Sequence, residues 1–80
     1  MELTNQEKCD SLRANLIYFA ERIYQTQMQI QVAKASNNFE SVAINEGLLA
    51  EYLLTAKVYQ DELDKLNAPD TITEAETQGQ

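Results

Sequence analysis

The sequence predicts an all-α protein, an antiparallel two-helix hairpin of the coiled-coil type whose copies associate into a helical bundle. Three observations carry this expectation. Cys9, Leu12, Leu16, Phe19, Ile23, Thr26, Ile30 and Ala33 form one stripe at alternating steps of three and four residues. Val42, Asn45, Leu49, Tyr52, Ala56, Tyr59, Leu63 and Leu66 form a second. Ser36-Asn37-Asn38 separates the two and breaks their phase. Steps of three and four keep side chains on one face of a helix, so each stripe is the apolar face of a long helix.

The first helix is expected over about residues 4–35. Thr4-Asn5-Gln6-Glu7 reads as a capping box, in which the Thr4 hydroxyl accepts from the Glu7 amide and Glu7 reaches back to the Thr4 amide. No Gly or Pro interrupts the chain from there to Ala35. One stretch opposes the assignment. Gln25, Gln27, Gln29 and Gln31 alternate with Thr26, Met28, Ile30 and Val32, which is strand periodicity. A lone strand between helical patterns would have no sheet to join, so the helix is retained.

Residues 36–38 are the expected turn, with Asn37 and Glu40 repeating the cap spacing. The second helix is expected over about residues 38–66. It ends at Asn67-Ala68-Pro69, because Asn tolerates a left-handed cap and Pro cannot donate to the helix. Gly47 within it costs roughly 1 kcal/mol relative to Ala. Either the helix starts weakly or a neighbour approaches the backbone closely. Residues 68–80 are polar and acidic, with the composition of a disordered tail.

Folding one helix back on the other pairs positions whose numbers sum to about 75. Leu12 then meets Leu63, Leu16 meets Tyr59, Phe19 meets Ala56, Ile23 meets Tyr52 and Ala33 meets Val42. Large residues face small or medium ones, as interdigitated packing requires. Thr26 opposite Leu49 and Ile30 opposite Asn45 weaken the seam near its middle.

Eighty residues form one domain, and a chain this short buries only about 60% of its unfolded surface. Disulfides, metals or association usually supply the missing stability. A single cysteine cannot pair within the chain, and the absence of histidine removes the usual zinc sets. Association with a protein partner, a second copy included, is the remaining route.

The charge balance narrows the partners. Thirteen acidic residues face six basic ones, for a net −7. Residues 4–36 carry +1 and residues 39–67 carry −4, so the two halves can lie side by side. Nucleic acid and anionic membrane surfaces both need clustered Lys and Arg and are not expected partners. No stretch is apolar enough to span a bilayer, and the first residues lack a secretory pattern. The unpaired cysteine fits a reducing compartment, so a cytoplasmic location is expected, in a bacterial cell or an infected host.

No catalytic motif emerges. Without histidine the commonest general base is missing, and carboxylate-bridged metal bundles lose their Glu-x-x-His pairs. Asp61, Glu62 and Asp64 beside Lys65 read as a solvated face rather than a metal site. Cys9 lies on the apolar stripe and reads as packing. There is no glycine-rich loop for phosphate. Enzyme activity, a cofactor, a metal and a small-molecule substrate are therefore not expected.

What stands out is excess apolar surface. Ile17, Ala20 and Tyr24 run beside the first stripe, and residues 48–54 are apolar almost all round the second helix. Helices apolar on more than one face are buried on more than one side. Ile17, Tyr18, Tyr24, Leu48, Leu53 and Leu54 are the candidate interaction surface. The expected function is a protein–protein interaction module, an assembly chaperone or adaptor that takes an apolar helix of a client.

In size, hairpin and acidic end the layout resembles two kinds of small helper, although no specific motif carries the likeness. One is the helical-hairpin co-chaperones of type III secretion needle subunits, and the other is the acidic helical chaperones of phage assembly. Two alternatives stay open. One is a phage or mobile-element inhibitor of a host defence or DNA-handling enzyme, in which the helix 2 carboxylates imitate phosphates. The other is a structural homo-oligomeric bundle.

Overall fold

Thr4 starts the chain's first element, as the cap spacing predicts. In the computed structural model, which describes residues 2–77 with side chains through Asn67, helix α1 spans Asn5–Ala35. The Thr4 hydroxyl accepts from the Glu7 amide at 3.1 Å, and the Thr4 amide donates to Glu7 Oε1 at 2.8 Å. Two amides that the helix itself leaves unpaired are thereby satisfied.

The turn closes by local backbone bonds. The Asn38 amide donates to the Ala33 carbonyl at 2.9 Å, and the Asn37 amide donates to the Lys34 carbonyl at 3.1 Å. This pair of bonds is the Schellman arrangement, which needs a left-handed residue between its arms. Asn37 supplies it with φ 57°. The second cap is therefore not Asn37, as expected from the spacing to Glu40, but Asn38. Its Oδ1 accepts from the Ser41 amide at 3.1 Å, and its carbonyl accepts from the Val42 amide at 3.1 Å. Asn37 is occupied in ending α1, so the capping role moves one residue along.

Helix α2 spans Phe39–Thr77. Its backbone runs past Asn67-Ala68-Pro69, beyond the expected end at about residue 66. Proline removes its own amide donor and crowds the preceding turn, at a cost of about 3 kcal/mol, but the remaining bonds can continue on either side. Asn67 has no left-handed cap, since Asn37 is the positive-φ residue among the described positions. The expectation of a disordered tail over residues 68–80 falls on positions whose side chains, and at the far end whose backbone, lie outside the described residues.

The two helices pack against each other along a single seam, and no strand occurs among the described residues. All sixteen positions of the two predicted stripes are buried or half-buried. The strand-like glutamine stretch resolves as helix. Thir alternation would place Thr26, Met28, Ile30 and Val32 together inside, yet Thr26 and Ile30 are buried while Met28 and Val32 are exposed.

The register follows the predicted pairing. Arg22 bonds Tyr52, and Cys9 Sγ approaches Asn67 Oδ1 at 3.7 Å. Phe19 lies 6.0 Å from the Tyr52 ring and 5.6 Å from the Tyr59 ring, straddling the position of Ala56. The two polar seam residues are satisfied within their own helices. Thr26 Oγ1 donates to the Arg22 carbonyl at 2.7 Å, and Asn45 Nδ2 donates to the Ser41 carbonyl at 2.9 Å. They weaken the seam by contributing little apolar area, not by leaving a buried donor unpaired.

The seam is one residue deep. Cys9, Thr26, Ile30, Ala33 and Leu63 are the buried residues, and no described large side chain is fully shut off from solvent. Full burial of an aliphatic side chain contributes about 1.5–3 kcal/mol. A core this thin places the isolated hairpin at the weak end of folded domains.

Candidate interaction surface

All six candidate residues are exposed. Ile17, Tyr24 and Leu54 are each 63% accessible, and Tyr18, Leu48 and Leu53 are also open. They do not form one patch. Successive residues advance about 100° around a helix, so the seam positions fix where every other residue points. Ile17 and Tyr24 of α1 lie on the same flank of the hairpin as Leu53 of α2, with Ala20 and Ala50 between them. Ile17, Ala20, Glu21 and Tyr24 line a shallow depression on that flank of α1. Tyr18 and Leu48 lie on the opposite flank, and Leu54 points away from α1 on the outer face of α2.

The Tyr18 flank is tied together across the hairpin. Arg22 Nη2 donates to Tyr52 Oη at 3.0 Å. The guanidinium carbon also lies 5.5 Å from the Tyr52 ring centre and 6.0 Å from that of Tyr18. The hydrogen bond from Arg22 to Tyr52 is the main influence holding the guanidinium pKa above its ordinary value, so Arg22 is a fixed cation there. Tyr18 packs edge-on against Phe19 at 5.1 Å. A groove on this flank is lined by Arg22, Gln25, Gln29, Asn45, Leu48 and Tyr52, among others, so amides and apolar side chains share it.

Ile44 and Val58 extend the exposed apolar surface beyond the six candidate residues. Both lie on the Tyr18 flank of α2, next to Gly47 and Leu54 on its outer face. A Cβ added at Gly47 would meet nothing within 4 Å, so no neighbour within the chain requires glycine there. The spacing of Ile44, Gly47, Leu54 and Val58 was the available signal, but Glu51 interrupts it. Phe39, at 71% accessible the most open of the large apolar side chains, sits at the start of α2 beside the turn.

The carboxylates of α2 near its far end are engaged locally. Lys57 pairs with Asp61 at 3.0 Å, Lys65 pairs with Glu62 at 3.0 Å, and Gln60 donates to Asp64 at 3.0 Å. The pair with Glu62 holds Lys65 above its ordinary pKa. Exposed pairs of this kind contribute little to stability. Among the described residues, no group of three or more Cys, Asp or Glu side chains is placed to hold a metal ion. None of the described helices is long and apolar enough to cross a membrane. The chemistry available on these surfaces is apolar contact edged by amides and scattered charge.

No family model matches the chain, and neither a curated protein nor a solved structure matches it.

Proposed function

We propose that this chain is a small protein–protein interaction module, an assembly chaperone or adaptor that holds an apolar helix of a client protein. The observation that supports the reading is the exposure of large apolar side chains outside the seam, among them Ile44, Leu48, Leu54 and Val58 of α2. Such side chains are only partly covered in the hairpin, and their remaining area gains about 25 cal/mol per Å² when a partner covers it. A hairpin flank is a groove between two parallel ridges, the shape into which an amphipathic helix lays its apolar face.

The test is affinity capture from the source cells with the wild-type chain and a Leu48→Asp/Leu54→Asp variant. The expected result is a defined partner retained by the wild type and lost by the variant. A synthetic amphipathic helix from that partner should then bind with a negative heat-capacity change, the mark of apolar burial. A second variant replaces Glu51, Asp61, Glu62 and Asp64 by Gln or Asn. Capture should survive in it. Loss in this variant alone would overturn the reading in favour of acidic mimicry.

A further inference from the structure

The strongest unexplained surface is the flank carrying Ile17, Ala20, Tyr24, Ala50 and Leu53. We propose that a second copy of this chain covers it, forming an antiparallel four-helix bundle in which α1 of each copy packs on α2 of the other. The inference goes beyond client binding and stands whether or not a client exists.

The flank is large enough for a stable pair. A flank about 30 residues long at 1.5 Å per residue and two helices of about 10 Å across offers roughly 900 Å² per copy. Two copies would bury about 1,800 Å², within the range of about 1,200–2,000 Å² typical of stable interfaces. A second layer would also close the one-residue-deep seam, the usual solution for two-helix hairpins.

Charge selects the crossed arrangement. α1 with its caps carries +1 and α2 through Asn67 carries −4. Stacking α2 on α2 would oppose two acidic helices, whereas the crossed arrangement alternates them. With the turns at the same end, residues whose numbers sum to about 75 lie level across the copies. Arg13 then comes within one turn of Asp64 of the other copy, and Glu21 within one turn of Lys57. Arg13 already touches Asp10 at 3.7 Å and Lys57 touches Asp61, but these pairs are exposed and can be shared. Every neighbouring helix pair in this bundle is antiparallel, and the interface is a closed two-fold contact that leaves no open end.

The relief of the flank suits its own image. Ala20 and Ala50 are small positions among the bulkier Ile17, Tyr24 and Leu53, so the flank offers both knobs and holes to its own image. The opposite flank carries exposed apolar residues of its own, Tyr18, Val32, Ile44, Leu48 and Val58, but the Arg22 guanidinium held by Tyr52 and Tyr18 stands among them, so packing a second copy there would bury a fixed cation.

The experiment is light scattering on the full chain at several concentrations, with circular dichroism to follow helix content. The wild type should run at twice 9.1 kDa. Ala20→Glu and Leu53→Lys should each shift the mass to the monomer, since both place a charge in the interface. Mixing the two should restore the dimer, because residue 20 of one copy lies beside residue 53 of the other. Tyr18→Ser on the opposite flank should leave the mass at the dimer value. A wild type that stays monomeric at about 100 μM, or single variants that remain dimers, would overturn the proposal. Failure of the mixture to regain the dimer would overturn the crossed arrangement. A monomeric wild type leaves the client reading standing, and a dimer that captures no client leaves the pairing standing.

Discussion

Phe19 projects between Tyr52 and Tyr59, one ring on each side of it along α2, with centres 6.0 and 5.6 Å away. It is the middle of the seam, and the small Ala56 opposite makes the room. Aromatic pairs at such distances add about 0.5–1.5 kcal/mol to what burial alone provides.

Phe19→Ala should therefore destabilise the chain by about 2–3 kcal/mol, somewhat below the range for a fully enclosed ring because Phe19 is half-buried. Val32→Ala, at an exposed position of the same helix, should change stability by less than about 0.5 kcal/mol. Urea midpoints followed by the helix signal check both. Equal effects would mean that the seam does not run through Phe19.

The turn divides its work between two asparagines. Asn37 holds φ 57°, so Asn37→Gly should be neutral or slightly stabilising, and Asn37→Val should cost about 1–2 kcal/mol. Asn38 caps α2, so Asn38→Ala should cost about 1 kcal/mol while Asn38→Asp retains most of the stability. Thermal denaturation of the four variants separates the two roles. A loss of about 1 kcal/mol in Asn37→Gly with none in Asn38→Ala would reverse the assignment.

Gly47 faces open space, and its substitution isolates intrinsic helix propensity. Gly47→Ala should raise stability by about 1 kcal/mol. A client that docks on the outer face of α2 would meet the new side chain of Gly47→Leu, and its affinity should fall several-fold. Calorimetric titration with the partner helix gives the second number.

Asn45 is a polar residue at a seam position, with its amide satisfied by the Ser41 carbonyl. A polar residue at one such position fixes register and association state while lowering stability. Asn45→Leu should melt at a higher temperature yet show more than one mass by light scattering. A single unchanged mass would show that Asn45 has no part in specifying the assembly.

Much of this architecture was legible in the sequence because coiled-coil packing is periodic. From Cys9 to Ala33 and from Val42 to Leu66, every stripe position went to the seam, including the polar Thr26 and Asn45. The glutamine stretch was legible as helix because α1 continues through it on both sides. The exact caps were not. Asn37 and Asn38 are the same residue type at adjacent positions, and only the backbone bonds from Ala33 and Lys34 decide which is left-handed. The extent of α2 was not legible either, because Pro69 lowers helix propensity without forbidding the conformation. The candidate surface was read as one excess of apolar residues, whereas rotation about the two helix axes divides it. Tyr18 and Tyr24 are six residues apart, and that step carries them to different flanks. Composition registers such residues without registering their direction.

The turn has a kinetic consequence. Because paired positions sum to about 75, contacts close to Ala33 and Val42 join residues only a few places apart, while Cys9 and Asn67 enclose almost the whole hairpin. Loop closure is cheapest at the turn and grows more costly outward. The helices should zip from Asn37 toward the termini, with the turn formed early and the Cys9–Leu63 end formed last. Damage near Asn37 then slows folding, while damage near Leu63 chiefly speeds unfolding. The open end is thus the part of the hairpin that a passing chain would most often find undone.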